Sequence, residues 1–478
     1  IYKSLSIYIM NKNKPNITEV VLRDGQQSLI ATRMTLDDMK PILKSMDNVG
    51  FSSLEVWGGA TYDCCLRFLN ENPWDRLKVF KKSIKKTKLQ MLIRGKNLVG
   101  YKQFDDSIIS LFISNAAKHG IDIFRIFDSL NDINNIQSSI KFVNKAKKNS
   151  QGTICYTTSP IHNEDYWIKL AKDIEDCGAK SLAIKDMAGL LRPGVCFDLV
   201  KRLKKNLNIP IHLHTHSTTG LSDATNYKAY EAGVDNIDTS ISSFSNLYAH
   251  TATESFMSMI YDDNANPYDM NLLSKISSYF QSIRPKYEQY EGSMRGVDID
   301  MLINQVPGGM LSILEKQLTD LKKSNKLKML IDEIPRIRKD IGYVPLVTPS
   351  SQIVGAQALM NVLDNKRYKT LNKEFIDLVD GSYGKIPGTV CSKLKRKIDK
   401  IKTINDEDTY KLTIQDYKKE FSNFCNSHHL KDYSNSETDL LNYILFKKES
   451  MDFYASNDRT TTNEVIGLQE GFGLYIND

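Results

Sequence analysis

From residue 17 to about 260, short β-branched apolar runs alternate with longer stretches whose apolar residues recur at helical spacing. The runs are 17–22 (ITEVVL), 52–57 (SSLEVW), 88–93 (KLQMLI), 121–127 (IDIFRIF), 152–157 (GTICYT), 180–184 (KSLAI), 209–214 (IPIHLH) and 234–239 (VDNIDT). The helical stretches between them include 35–49, 105–119, 163–177 and 193–206, and acids or Thr stand near several of their starts, as in Thr35-Leu-Asp-Asp. Eight alternations of this kind predict a closed parallel barrel rather than an open sheet. From about 265 the pattern changes to long amphipathic helical segments such as 309–329 and 351–364, with turns expected at Pro335, Pro345, Pro349 and Gly381. The expected fold is therefore α/β: a (β/α)8 TIM barrel over 17–300, after an N-terminal extension over 1–16, followed by a mostly helical C-terminal domain over 301–478. Residues 395–425 are rich in Lys, Asp and Glu and read as a solvated helix face or a mobile link.

Composition narrows the function classes. The 478 residues are 41% hydrophobic and 25% charged, an ordinary globular balance. Lys+Arg 64 against Asp+Glu 57 leaves only +7, with lysines dispersed among acids along the chain, which argues against a nucleic-acid partner. No apolar run approaches a membrane span. The seven cysteines are odd in number and form no CxxC, so no disulfide framework is expected and a reducing cytoplasm is the natural setting. Residues 1–9 lack signal-peptide features and precede Met10, so they read as an upstream extension.

Barrel chemistry gathers where the strands end, so the polar residues after each run matter most. His212, His214 and His216 alternate on the seventh run and so share one strand face. Alternate histidines at a barrel mouth suit a zinc-like ion, and Asp24 after the first run could complete the site; the alternative is a hydrogen-bonded polar patch. His214 and His216, nearest the strand end, are the better ligands, with His212 deeper. Lys185 ends the sixth run. It is either an ordinary ion-pair partner of Asp186 or another carboxylate, or a neutral or CO2-modified amine within the site. Arg23 and Arg94 are cations at strand ends, each structural or poised for a small oxoacid. Cys64 and Cys65 read as packing residues. No Gly-x-Gly-x-x-Gly or Walker pattern supports a nucleotide.

Leu-Arg-Asp-Gly-Gln-Gln-Ser (22–28), Trp-Gly-Gly-Ala-Thr-Tyr-Asp (57–63), Gln-Met-Leu-Ile-Arg-Gly (90–95), Phe-Arg-Ile-Phe-Asp-Ser (124–129), Ile-Lys-Asp-Met-Ala-Gly (184–189) and His-Thr-His-Ser-Thr-Thr-Gly (214–220), in this order, resemble the carboxyltransferase family of biotin-dependent enzymes. That family includes the oxaloacetate decarboxylase alpha subunit, the transcarboxylase 5S subunit and the carboxyltransferase part of pyruvate carboxylase. Gln-Val-Pro-Gly-Gly-Met (305–310), Pro-Leu-Val-Thr-Pro-Ser-Ser-Gln (345–352) and Gly-Ser-Tyr-Gly-Lys-Ile-Pro (381–387) extend the resemblance beyond the barrel. It implies carboxyl transfer between oxaloacetate or pyruvate and biotin on a separate carrier protein, since no Ala-Met-Lys-Met motif or biotinyl domain occurs in these residues. It also implies a divalent metal (Zn, Mn or Co) on Asp24, carbamylated Lys185, His214 and His216. Arg94 would hold the substrate carboxylate, Gln27 would bond near the keto oxygen with Arg23 nearby, and Asp63 and Tyr101 would shape the biotin pocket. Thr253, or else Thr251, would be the proton-shuttling threonine. The stretch 243–255 leans toward the decarboxylase alpha subunit. The transcarboxylase 5S subunit and the carboxyltransferase subunit of a two-subunit pyruvate carboxylase are the alternatives, and an acyl-CoA-dependent barrel lyase or condensing enzyme is a more distant one. A homodimer is implied and, for the decarboxylase, peripheral attachment to a membrane complex.

Overall fold

The structure is a computed structural model that describes residues 14–456 apart from 263–264, 293, 298, 307, 403–411 and 431–432. Most of the expected N-terminal extension, part of the charged 395–425 stretch and the end of the helical region therefore lie outside the described residues.

Eight parallel strands close into a barrel in chain order: β1 (Asn16–Glu19), β2 (Ser53–Trp57), β3 (Lys88–Ile93), β4 (Ile123–Ile126), β5 (Asn149–Cys155), β6 (Ser181–Asp186), β7 (Ile211–Thr215) and β8 (Asn236–Thr239). β8 pairs with β1 from Asn16↔Asn236 to Glu19↔Thr239, which seals the cylinder. Helices cover the outside, and their starts are capped as the sequence suggests: Asp105 accepts from the N–H groups of Ser107 and Ile108, and Asn163 from Tyr166.

Two local departures shape the site. The first run does not continue as a strand to residue 22. Instead the Glu19 carboxyl accepts the Val21 and Ile241 N–H groups at 2.9 and 3.0 Å, and the chain coils into a π-helical turn over Val21–Gly25. A Cβ on Gly25 would stand 2.4 Å from Ser240 Oγ, so only glycine lets this turn lie against the end of β8. In β2 the pairing shifts between Glu55 and Trp57. That bulge breaks the alternation. Glu55 faces Arg23 and Arg125, whereas Trp57 stacks on Phe112 at 5.9 Å and meets Trp74 edge-on at 5.0 Å, on the helical side.

Beyond the barrel, helices Leu327–Asp340, Ser350–Leu363 and Lys373–Asp380 bury Leu330, Ile334, Ile337, Val354, Ala358 and Phe375 against one another. The turn expected at Pro335 is not found: Pro335 lies inside the helix Leu327–Asp340. The buried stripe Leu330, Ile334, Ile337 and Ile341 runs straight through it, and that packing outweighs a proline penalty of about 3 kcal/mol. Gly381, at φ 99°, does end its helix as expected. The loop after it lies on the barrel: Asn135 Nδ2 donates to Tyr383 O at 2.7 Å, and Lys385 N–H donates to Asp132 Oδ2 at 2.7 Å. Val347 packs with Phe127 and Cys155 at the ends of β4 and β5. By compactness the chain divides between Ile414 and Gln415, so the helices up to that point belong to the same unit as the barrel. Among the described residues no helix is long and apolar enough to cross a membrane.

Candidate active site

Asp24 comes from the turn after β1, Lys185 from the last residues of β6, His214 from β7, and His216 directly after it. The barrel brings all four together, as their places at strand ends require. A fifth side chain joins them from the segment after β8: His250 Nε2 lies 3.2 Å from Asp24 Oδ2, the same distance as His214 Nε2, and His216 Nε2 lies at 3.5 Å. Lys185 Nζ donates to His214 Nε2 at 2.9 Å. All of these residues are buried.

Each imidazole has its Nδ1 committed elsewhere. His214 Nδ1 donates to Asp238 Oδ2 at 2.6 Å, His216 Nδ1 to Tyr248 O at 2.6 Å, and His250 Nδ1 to Thr215 O at 2.9 Å. With that tautomer, three Nε2 lone pairs converge on a carboxylate oxygen, and His216 Nε2 is buried with no hydrogen-bond partner. Lone pairs facing a carboxylate repel, and a cation among them removes the repulsion. Imidazole nitrogens and one carboxylate, with ligand atoms within 4.8 Å of one another, fit a divalent ion of the zinc type, without fixing which one. Protonation states agree. Burial raises the Asp24 pKa, but Arg23 and the histidines outweigh it and hold the carboxyl well below its usual range. Burial, with Lys185 and His250 beside it, pushes His214 well below the usual histidine value. Burial also brings the Lys185 amine down to about 8, within reach of the neutral form.

Around this cluster the other expected residues fall into two groups. The Arg23 guanidinium is shared between Asp24 (3.0 Å) and Glu55, to which Nε donates at 2.8 Å, and Nη1 reaches Gln27 Oε1 at 3.4 Å. Arg23 thus fixes the carboxylate while itself 1% exposed. Arg94 Nη1 donates to Val99 O and Gly100 O at 2.7 and 3.0 Å, and its guanidinium lies 5.1 Å from the Tyr101 ring centre. A Cβ on Gly59 would stand 2.6 Å from that guanidinium, which explains the second glycine after Trp57. Tyr101 Oη donates to Asp63 Oδ2 at 3.3 Å, so the expected biotin-pocket pair is adjacent. Thr253 is the outlier: its hydroxyl bonds Glu19 and Thr239, at 2.6 and 2.7 Å. Thr251, next to His250, accepts from Asn226 Nδ2 at 2.9 Å and donates to Ser222 Oγ at 3.1 Å. Cys64 and Cys65 are buried, and burial raises their thiols to about 11 and about 12.

Comparison with known proteins agrees with this geometry. An HMGL-like family model matches residues 14–278, and a conserved carboxylase domain model matches residues 301–473. A pyruvate carboxylase subunit of Methanocaldococcus jannaschii is 45% identical over 446 residues, covering 91% of this chain and 77% of that protein. The methylmalonyl-CoA carboxyltransferase 5S subunit of Propionibacterium freudenreichii is 41% identical over 462 residues, covering 94% and 89%. The solved carboxyl transferase domain of Rhizobium etli pyruvate carboxylase, with pyruvate and biocytin, superposes with a TM-score of 0.86 at 30% identity, covering 95% of this chain and 80% of that one. The chain belongs to the biotin-dependent carboxyltransferase family. It is a biotin-dependent enzyme, and its reaction is carboxyl transfer. These relatives favour the pyruvate carboxylase and 5S alternatives over the decarboxylase alpha subunit toward which the stretch 243–255 leans.

For this carboxyltransferase the sequence leaves three site residues unassigned. His250 stands in an irregular segment after β8, where no periodicity marks it. Arg125 and Asp238 are each the one charged residue of their strand, β4 and β8. Asp238 holds the Nδ1 of His214 and, through its other oxygen, His212 Nε2; Arg125 crosses the lumen from β4 to pair with Asp238, and both are fully buried. Arg125 and the histidines outweigh burial and keep the Asp238 carboxyl well below its usual range. His212 accordingly lies below the ligand pair, accepting from Gln151 Nε2 at 3.1 Å. The one available signal is positional: both charges fall mid-strand, on the lumen side.

Proposed function

We propose that this chain carries the carboxyl group between carrier-bound biotin and pyruvate, forming or consuming oxaloacetate, as the carboxyltransferase component of a two-subunit pyruvate carboxylase. The observation that carries the reading is the convergence of three imidazole lone pairs on Asp24 at the strand ends, with Lys185 against His214. The relatives named above supply the reaction class, and one solved relative is described with pyruvate and biocytin.

In this reading Asp24, His214, His216 and Lys185 hold the metal, and His250 faces the same point. Lys185 serves as a carbamate: its neutral amine adds CO2 and releases one proton, and the product offers an anionic oxygen where an ammonium would repel the ion. A divalent metal held by these residues would supply Lewis acidity for the negative charge that develops on the substrate as the enolate forms. The chain's own residues do the rest. Arg94, held in place by Val99 O and Gly100 O, clamps the substrate carboxylate. Gln27 bonds near the keto oxygen, anchored through Arg23. Tyr101 and Asp63 orient the biotin ring. Arg23 and Asp238 keep Asp24 and His214 in the ionisation and tautomer that the site needs.

The test follows pyruvate release from oxaloacetate with and without biotin, on wild type and Lys185→Ala, with metal content read on the same samples. Biotin-stimulated turnover that falls by about 100-fold or more in the variant, with about one metal per wild-type chain, is expected. Turnover indifferent to both biotin and Lys185 would sink the proposal and favour acyl-CoA lyase chemistry on the same barrel.

A further inference from the structure

The opposite end of the barrel carries a second concave site. At the N-terminal ends of β3 to β6 a cleft of about 530 Å3 opens to solvent. Lys85 and Lys86 precede β3 and Lys88 begins it; Lys147 and Lys148 precede β5, and Lys180 precedes β6. With Lys81, seven of the eleven lining residues are lysine, and Asp122 is the one carboxylate among them. The lining thus bears a formal +6 in a chain whose total is +7. Three separate strand entries, before β3, β5 and β6, gather these lysines in space, while the entry to β4 supplies Asp122.

Some lysines outside the cleft have a carboxylate each, as Lys40–Asp37, Lys78–Asp75, Lys204–Asp235 and Lys228–Glu231 do at 2.6–2.8 Å. In the cleft, Asp122 takes Lys148 at 2.8 Å and Lys81 at 3.8 Å, while Lys85 and Lys86 are held by neutral acceptors, Lys81 O at 3.2 Å and Asn48 Oδ1 at 2.7 Å. Helix-dipole complementation accounts for Lys81, in the last turn of the helix Pro73–Ser83, but not for lysines in loops and at strand starts. Thr87, Asn144 and Asn149 complete the lining, and no aromatic or large apolar side chain offers a face to a base or acyl chain. The volume is that of a small-molecule site rather than a protein footprint.

We propose that this cleft binds a small polyanion, a molecule with two or more phosphate or carboxylate groups, at the barrel face opposite the carboxyl-transfer site. The site is independent of the reaction assigned to the other end. Mass action then stabilises the chain when the anion is present.

Titration calorimetry on the full chain tests this with tripolyphosphate in one arm and citrate in the other, at about 20 mM and then about 200 mM salt. One saturable site per chain is expected in at least one arm, with affinity falling as salt rises. The arm that saturates tells phosphate from carboxylate. The double variant Lys88→Glu/Lys180→Glu should weaken it by about tenfold or more, with unchanged melting temperature in the absence of ligand and unchanged pyruvate release. The control Lys40→Glu/Lys228→Glu, equal in charge but on helices that do not line the cleft, should bind like wild type. No saturable heat in either arm, or equal weakening in the two double variants, would overturn the proposal.

Discussion

Inside the barrel Arg125, Glu55, Asp238, His212 and Lys185 are all shut away from water, whereas the helices Leu327–Asp340 and Ser350–Leu363 bury an apolar cluster that includes Leu330, Ile334, Ile337, Val354 and Ala358, with Glu333, Arg338, Gln357 and Asn361 as the buried polar groups beside it. Both regions are sealed, yet one is filled with charge and the other mainly with hydrocarbon. An apolar core gains from burial whatever its exact pairing. A charged one gains only if every group meets its partner, and loses heavily when one is removed. The lumen has that completeness: Arg125 spans to Asp238, Asp238 fixes two histidines, and Glu55 takes Arg23, which in turn takes Asp24. The charges that make the barrel expensive to bury are thus the ones that set ligand tautomers at its mouth.

The strongest way to break the comparison is Arg125→Met, which roughly keeps volume and leaves Asp238 without its arginine, while Glu55 keeps Arg23. A stability loss of about 3–5 kcal/mol is expected by chemical denaturation. Metal affinity should fall as well, by about 10- to 100-fold, because Asp238 no longer holds His214 in one ionisation state. Loss of stability with metal affinity intact would mean that the lumen charges are structural alone. In the helical region Leu330→Ala should also cost about 2–5 kcal/mol, by leaving a cavity in the apolar cluster. Turnover per folded molecule should stay near wild type there, so the two variants separate a charged core tied to chemistry from an apolar core that is not.

Asn135 lies where the two regions meet. Its Nδ2 bonds Asp128 Oδ1 at 2.9 Å and Tyr383 O at 2.7 Å, and its Oδ1 accepts from Gln103 Nε2 at 3.2 Å. Gly95, beside Arg94, packs so closely on the Asn135 carbonyl that a Cβ there would stand 2.4 Å away. The loop bearing Arg94 and Tyr101 is therefore held by a residue that also grips the helical region. Asn135→Ala should cost about 1–3 kcal/mol, and the KM for the 2-oxo acid should rise by about 3- to 10-fold with a smaller change in kcat. An unchanged KM would show that the grip serves stability only.

Legibility follows the same divide. Strands buried on both faces write themselves as β-branched runs, and all eight are visible in the sequence; residues at their ends can be named because a parallel barrel gathers strand ends. Asp24, Lys185, His214 and His216 are legible on that ground. His250 is not, since an irregular segment has no period, and Arg125 and Asp238 are not, since a charge within a strand does not reveal a partner across the lumen. The first run reads too long because Glu19 captures two backbone N–H groups and turns the chain early. Pro335 reads as a turn only when the local rule is applied without the buried stripe that overrides it. The lysine cleft is invisible for a different reason: its lysines come from three strand entries far apart in the chain, and no local pattern tells that the barrel brings those entries together.

Glu19 offers the finest test of how charge is tolerated in the lumen. Burial raises its pKa from 4.5 to about 8, against the hydrogen bonds from Thr253, Val21 and Ile241. A carboxyl whose folded pKa is raised binds its proton more tightly in the native state than in the unfolded chain. Its stabilising contribution is complete below about pH 4.5 and is lost progressively as pH rises to about 8, above which the slope vanishes. Glu19→Gln keeps one oxygen for the Val21 and Ile241 N–H groups and a donor for Thr253, and has nothing to titrate. The variant should melt within a degree or so of wild type near pH 5 and about 2–4 °C above it near pH 8. Parallel melting curves across that range would instead mean that Glu19 is already ionised in the fold, compensated as fully as Asp24 and Asp238 are, and that the lumen accepts a carboxylate even where no arginine faces it.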